Sequence, residues 1–316
     1  MRKRFLRAGM FGLAAALLME VPALSTQGLE GVMAGSMTCL AEEASSPAAE
    51  DAGQGADDAG LSYEDRKNWH RGKWVDGSYV NDQGVVMASL AQANLEPIPK
   101  IAGIKKKKIL FIGSSRTEQI SRSVRDDEVL FYGCGTSGFR WFFQRLTTGS
   151  KAEKREPAYQ VIRAFLRAHP KGPVIIDMGG NDVHNLEAYL GFYRDLLNQY
   201  PAAVIWFQGI LPKAVVNEER DRRREFNLLL GNAFPGHVIN LYDQVRAFPD
   251  FSTTDGTHYP DRLNRRIYQM IMDTIGRKVT VNMKNGKVAA SGKKTSAGKN
   301  KKKTGTKKKR TGKKKK

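Results

Sequence analysis

The sequence predicts an α/β fold built on a parallel sheet, and three observations carry that prediction. Short apolar runs recur along the chain: Ile109–Ile112, Val129–Tyr132, Pro173–Met178, Ala203–Gln208 and His237–Leu241. The segments between them carry apolar residues at helical spacing. The first run, Ile109-Leu110-Phe111-Ile112, has no apolar/polar alternation, as expected of a strand buried on both faces. Strands and helices alternating in this way give a parallel sheet covered on both sides. Ligands of such sheets bind at the carboxyl ends of the strands, where the strand order reverses. The residues that follow each strand are therefore the ones to inspect.

Residues 1–25 read as a signal peptide. Arg2, Lys3, Arg4 and Arg7 precede an apolar stretch, Met10 to Met19, too short to span a bilayer. Ala23-Leu24-Ser25 is a small-residue cleavage site; the alternative is an N-terminal membrane anchor. Residues 26–60, rich in Ala, Glu, Asp, Gly and Ser, read as a flexible acidic linker. Residues 61–104 hold Trp69, Trp74, Tyr79 and Val85-Val86-Met87, and read as an N-terminal extension that packs on the main domain. The alternative is a part of a ligand cleft.

The main domain is expected over 105–277. Helical patterns fall at Thr117–Arg125, Phe139–Leu146, Pro157–Ala168, Leu186–Tyr200, Glu218–Gly231 and Asp261–Ile275. Residues 278–316 read as a disordered Lys-rich tail, because so few apolar residues cannot build a core.

The formal net charge is +20. From Arg277 to Lys316 there are 18 Lys or Arg and no Asp or Glu, which leaves +2 (20 less 18) for the rest. The charge belongs to the tail and says nothing about an active site. The tail lacks aromatics, so nucleic-acid binding by base stacking is not implied. The tail either holds an anionic cell-wall polymer electrostatically or is a passive, solvated segment. Two cysteines, Cys39 and Cys134, make no disulfide framework and no CxxC metal pattern; Cys134 is expected to pack as a small buried residue. No HExxH, EF-hand or P-loop pattern occurs, so neither a metal nor a nucleotide cofactor is implied.

Four segments stand out for chemistry: Gly113-Ser114-Ser115 after the first strand, Gly133-Cys134-Gly135-Thr136-Ser137-Gly138 after the second, Gly179-Gly180-Asn181-Asp182 after the third, and Asp255-Gly256-Thr257-His258 before the last helix. A serine on a sharp strand-to-helix turn lifts its hydroxyl above the sheet, with helix N–H groups nearby for an oxyanion. It is also ordinary turn and N-cap chemistry. Acyl transfer needs a base within reach of the serine and an acceptor that orients the base. His258 alone among the five histidines has a carboxylate three residues before it, Asp255.

These four segments, in this order, resemble the conserved blocks of the SGNH (GDSL-type) hydrolase superfamily over about Lys107 to Ile275. The resemblance implies a three-layer α/β/α sandwich with a five-stranded parallel, flavodoxin-like sheet. It makes Ser115 the nucleophile, His258 the base and Asp255 its orienter. The Ser115 N–H, Gly138 (with Gly135 its nearest rival) and Asn181 would form the oxyanion hole. Asp182 is assigned to structure. Arg116, next to the nucleophile, is either a contact for an anionic or hydroxylated substrate or a surface arginine. The chain departs from the family at Ser114, where an Asp is usual. The implied activity is a secreted or envelope-associated serine esterase, without cofactor, that removes O-acetyl or other short acyl groups from carbohydrate. An O-acyltransferase of envelope glycan and a non-catalytic glycan-binding protein of the same fold are the alternatives.

Overall fold

The apolar runs become the sheet, and the order in which they pair decides where the chemistry collects. The computed structural model describes residues 68–135, 137–148, 153–214 and 222–290, all within the unit spanning 51–316. The expected signal peptide, the acidic linker, Cys39, Thr136, the first residues of the Glu218–Gly231 helix and the stretch 291–316 lie outside the described residues.

The extension opens with β1 (Gly72–Val75), β2 (Ser78–Asn81) and β3 (Val86–Ser89), a small antiparallel sheet. It is followed by α1 (Leu90–Leu95), which the Ser89 hydroxyl caps by accepting the Gln92 N–H. Then come β4 (Ile109–Gly113), α2 (Ser115–Ser123), β5 (Val129–Gly133), β6 (Leu146–Thr148), β7 (Glu153–Arg155), α3 (Ala158–Ala168), β8 (Pro173–Asp177) and α4 (Leu186–Gln199). The order continues with β9 (Val204–Gln208), α5 (Arg222–Ala233), β10 (Val238–Ile239), α6 (Tyr242–Arg246), α7 (Asp261–Thr274), β11 (Val279–Val281) and β12 (Val288–Ala290).

The main sheet has the order β10-β9-β8-β4-β5, and all four pairings are parallel. This is the flavodoxin-like order, with α helices on both faces, that the SGNH-type resemblance implies. The chain moves outward from β4 to β5, then crosses back to β8 on the other side. The reversal opens a crevice at the carboxyl ends of β4 and β8.

Every residue of β4 is buried. Leu110 and Ile112 join one apolar cluster, with Val174, Ile176, Phe165 and Phe192, whereas Ile109 and Phe111 join the other, with Ile267 and Ile271 of α7. Burial of each such side chain contributes about 1.5–3 kcal/mol. A strand loaded on both faces is thereby locked in register, and the residues after it are fixed.

The extension belongs to the first cluster. Trp69 and Tyr79 are buried in it, and the Trp74 indole donates to Asp195 of α4 at 2.7 Å. The Trp74 ring packs edge-on against Phe192 and stacks on Phe143.

Two expectations are corrected. The predicted Phe139–Leu146 helix is a single 3-10 turn, Phe139–Phe142, after which Leu146 enters a hairpin with Arg155. Phe139, Trp141 and Phe142 are all fully buried, so the apolar residues serve an enclosed turn and not one stripe of a helix. The tail expected to be disordered from 278 is ordered through Ala290. Val279 and Val281 are buried, and β11 pairs with β12 across a turn at Asn282–Gly286. Lys-rich composition hides this short alternation of Val, Thr and Val. Two anchors hold the hairpin: Gln269 of α7 bonds both Val279 and Val281, and Arg277 pairs with Asp126 at 2.5 Å and Glu128 at 3.1 Å. No helix among the described residues is long and apolar enough to cross a membrane.

Candidate active site

Gly113 ends β4 where the chain must pass beneath Asp177 and Thr117. A Cβ there would lie 2.4 Å from the Asp177 carbonyl oxygen and from Thr117 Oγ1, a distance no side chain tolerates. Ser114 follows as the N-cap of α2 in extended conformation, and its N–H donates to the Asp177 carbonyl at 3.1 Å. Ser115 is the first residue of α2, half-buried, at the positive end of the helix.

From the far end of the chain, the loop before α7 brings His258 to the same edge. His258 Nε2 lies 2.8 Å from Ser115 Oγ. His258 Nδ1 lies 2.5 Å from Asp255 Oδ2. The other Asp255 oxygen accepts the Thr257 and His258 N–H groups at 3.0 and 2.8 Å. The carboxylate therefore holds both the ring and its backbone. The hydrogen bond from the imidazole, helped by those amides, holds the Asp255 pKa down at about 2. An ionised Asp255 fixes the proton on Nδ1 and leaves Nε2 free to accept from the serine hydroxyl.

The third segment meets the second beside this group. Asn181 donates one amide N–H to the Ser137 carbonyl at 2.9 Å, which leaves its second N–H for another acceptor. The neighbouring Asp182 accepts from the Phe139 N–H at 2.6 Å, Tyr189 Oη at 2.7 Å and Asn185 Nδ2 at 3.2 Å. Gly138 is thus bracketed by bonds to the residues on either side of it. A Cβ on Gly138 would come 2.7 Å from Asp182 Oδ2. Burial pushes the Asp182 pKa up, against the three hydrogen bonds that pull it down. Gly138 itself is not part of the wall of the cavity beside Ser115.

That cavity measures about 10 Å³, and its walls include Ser115, Asn181, Asp177, Arg116, Ile210 and Leu211. Such a space holds a single water or a methyl-sized group. Asn227 of α5 holds the wall in place. Its side chain accepts the Ile210 N–H at 2.7 Å and donates to the Ile210 carbonyl at 2.8 Å. Nothing in the local sequence marks this asparagine, because its partner lies across a strand-to-helix loop.

Arg116 is not a surface arginine. It is 8% exposed, and its Nη2 donates to the carbonyls of Pro212 at 3.1 Å and Thr257 at 3.3 Å. Its guanidinium lies over the Tyr259 ring, 5.0 Å from the centroid, and Tyr259 in turn bonds the Pro212 carbonyl. Arg116 Nη1 has no hydrogen-bond partner among the described residues. The side chain thus ties α2 to the loop that carries His258.

Ser114 stands where the family that the sequence resembles usually has an Asp, and a carboxylate does lie beneath the turn. Asp177, at the end of β8, accepts from Thr117 Oγ1 at 2.9 Å. Burial raises its pKa, whereas the Arg116 charge and the Thr117 bond lower it. Cys134 is fully buried, as expected. His184 lies outside the serine–histidine contact, its ring against His70 with Arg222 at 3.2 Å from Nδ1. No group of three or more His, Cys, Asp and Glu side chains with metal-binding geometry occurs among the described residues.

No family model matches the chain, and no curated protein matches it. Solved structures do. A candidate arylesterase from Agrobacterium tumefaciens str. C58 is 16% identical, over 53% of this chain and 99% of its own, with a TM-score of 0.37. A candidate platelet activating factor from Streptococcus pneumonia is 17% identical, over 54% of this chain and 83% of its own, with a TM-score of 0.35. Likenesses this distant decide neither fold nor site, and both rest here on the strand order and on the distances at Ser115.

Proposed function

We propose that the chain is a serine esterase that removes short acyl groups, O-acetyl foremost, from carbohydrate. The observation that carries this reading is the run of contacts Ser115 Oγ–His258 Nε2–Asp255 at the switch point of the sheet. Ser115 attacks the ester carbonyl as His258 Nε2 takes its proton. Asp255 stabilises the imidazolium through Nδ1–H. The Ser115 N–H, the Gly138 N–H and the spare Asn181 N–H stabilise the tetrahedral oxyanion. His258 then protonates the leaving alcohol. Water, deprotonated by the same nitrogen, releases the acyl group as the acid.

The short acyl group is supported by the small cavity walled by Ile210 and Leu211. Carbohydrate as the alcohol, and a setting outside the cytoplasm, follow from the family resemblance and the leader-like residues 1–25. The test is turnover of 4-nitrophenyl acetate, butyrate and octanoate by wild type, Ser115→Ala and His258→Ala. Acetate is expected to be the best substrate. Each variant is expected to lose about 10³-fold or more in kcat. Labelling by a fluorophosphonate, mapped by mass spectrometry, is expected at Ser115. Wild-type inactivity, or a fully active Ser115→Ala, overturns the reading.

A further inference from the structure

Helix α2 starts without a cap of its own. Ser114 stands at its N-cap, yet the Ser114 side chain makes no capping hydrogen bond. The helix has only nine residues, so little within it fixes the first turn, and the hold must come from elsewhere. Strand β8 supplies it. Gly113, the last residue of β4, pairs in register with Asp177, the last residue of β8. From that position Asp177 meets the turn on both sides of Ser115. Its carbonyl accepts the Ser114 N–H at 3.1 Å, and its carboxylate accepts the Thr117 hydroxyl at 2.9 Å. On the β5 side, the Gly113 carbonyl accepts the Cys134 N–H at 2.9 Å.

The contact is enclosed. Thr117 is fully buried and Asp177 nearly so. A carboxylate in such a place costs free energy unless hydrogen bonds and charge offset the burial. The Thr117 hydroxyl supplies the bond. Arg116 supplies an offsetting charge, and the positive end of α2 adds to it. Asp177 also stands at the root of the loop that carries Asn181, four residues further on. Ser115, Asp177 and Asn181 share the wall of one cavity. A single residue thus connects the start of α2 to the loop after β8.

We infer that Asp177 is a positioning residue, which clamps Ser114 and Thr117 on either side of Ser115 and so sets the Ser115 hydroxyl against His258 and Asn181. The inference rests on the esterase reading and adds to it a residue that touches neither the ester nor the imidazole. Its weight comes from distance. A displacement of about 1 Å at a reacting atom can cost about 10²-fold in rate. Without the clamp, the first turn of α2 is free to make such a shift.

The test uses the full-length protein. Thr117→Val keeps the buried volume and removes the hydroxyl, whereas Thr117→Ser keeps the hydroxyl. With 4-nitrophenyl acetate, Thr117→Val is expected to lower kcat about 10–100-fold at unchanged KM. Thr117→Ser is expected to recover most of that loss. Asp177→Ala removes the other partner of the bond. Combined with Thr117→Val it is expected to lose no more than the worse single variant, because the two act as a unit. Amide hydrogen exchange reads the clamp without any substrate. Peptides covering 113–117 are expected to exchange at least tenfold faster in Thr117→Val, with those covering β9 unchanged. An inactive wild type would sink the esterase reading, and the positioning role with it, even if the exchange difference were present. In a wild type that hydrolyses the acetate ester through Ser115, three results overturn the inference alone: full activity of Thr117→Val, an equal loss in Thr117→Ser, or unchanged exchange at 113–117. A lowered melting temperature with kcat intact while the protein is folded would also overturn it, since the bond would then serve stability only.

Discussion

Asp182 accepts the Phe139 backbone N–H at 2.6 Å, so one carboxylate joins the loop after β8 to the loop after β5. The residue before it, Asn181, makes the same connection in reverse, donating to Ser137. The two bonds cross on either side of Gly138. The proposed oxyanion donors are thereby set by each other and not by their separate loops.

Asp182→Asn keeps the shape but leaves one acceptor oxygen for three donors, the Phe139 N–H, Asn185 Nδ2 and Tyr189 Oη. The expected outcome is a roughly tenfold loss of kcat, about 1.4 kcal/mol of transition-state stabilisation, with KM little changed. The variant also has a pH signature. The folded-state pKa of Asp182 is raised, so its ionised form opposes folding at neutral pH and proton uptake relieves that cost. Between neutral pH and the ordinary carboxylate range, about 4, wild type is expected to gain stability on acidification relative to Asp182→Asn. Urea unfolding at several pH values measures the difference.

Gly138→Ala tests the same crossing sterically. The new methyl would lie 2.7 Å from Asp182 Oδ2, and that oxygen is held by the Phe139 amide and cannot simply swing away. A destabilisation of about 1–3 kcal/mol is expected, with a loss of kcat of about 10²-fold or more as the donors move. Thermal unfolding and 4-nitrophenyl acetate kinetics separate the two effects.

How much of this was legible beforehand depends on how local each signal is. The β4 run was legible because burial on both faces forces four apolar residues in succession. The Asp255–His258 pairing was legible because the two residues share one turn. Asp182 bonds a backbone amide 43 residues away, and Arg116 bonds carbonyls 96 and 141 residues away. No spacing rule reaches that far, so the sequence left one as a structural residue and the other undecided. The β11–β12 hairpin was local, but its three-residue strands sit in Lys-rich sequence whose average composition argues against a fold.

Arg116 can be assigned by the kinetic constant that moves. As a positioning residue it holds the His258 loop through the Thr257 carbonyl, and lysine cannot reproduce the forked donors. Arg116→Lys and Arg116→Gln are both expected to lower kcat about 10–100-fold with KM for a small neutral ester unchanged. A rise in KM at constant kcat would instead make Arg116 a substrate contact.

Asp255 is more than half exposed at its side chain, and that limits its weight. Asp255→Asn is expected to cost about 10²-fold in kcat, well short of the ~10⁴ typical of an enclosed triad acid, because water can partly replace the lost carboxylate. The folded pKa near 2 lies below the ordinary value, so its stabilising contribution is present above about pH 4 and is lost only as pH falls toward 2. As pH falls from about 4 toward 2, the difference in unfolding free energy between wild type and Asp255→Asn should therefore shrink.

The N-terminal extension supports the site at one remove. Tyr79 of β2 donates to Asn185 Oδ1 at 3.1 Å, and Asn185 Nδ2 reaches both the Trp69 carbonyl and Asp182. A chain of bonds thus runs from the small antiparallel sheet to the loop that contains Gly138. Burial pushes the Tyr79 pKa far up, so its hydroxyl remains a neutral donor throughout the working range. Tyr79→Phe removes that donor and leaves Asn185 Oδ1 unsatisfied in the interior. The expected cost is about 1–3 kcal/mol of stability, accompanied by a few-fold loss of kcat because Asn185 no longer holds Asp182 in one rotamer. A substitution on the outer face of the same strand pair, Lys73→Gln, should change neither quantity. If Tyr79→Phe lowered the melting temperature but left kcat intact at temperatures where the protein is folded, the extension would serve the core alone, and the coupling through Asn185 and Asp182 would have no part in positioning the proposed oxyanion donors.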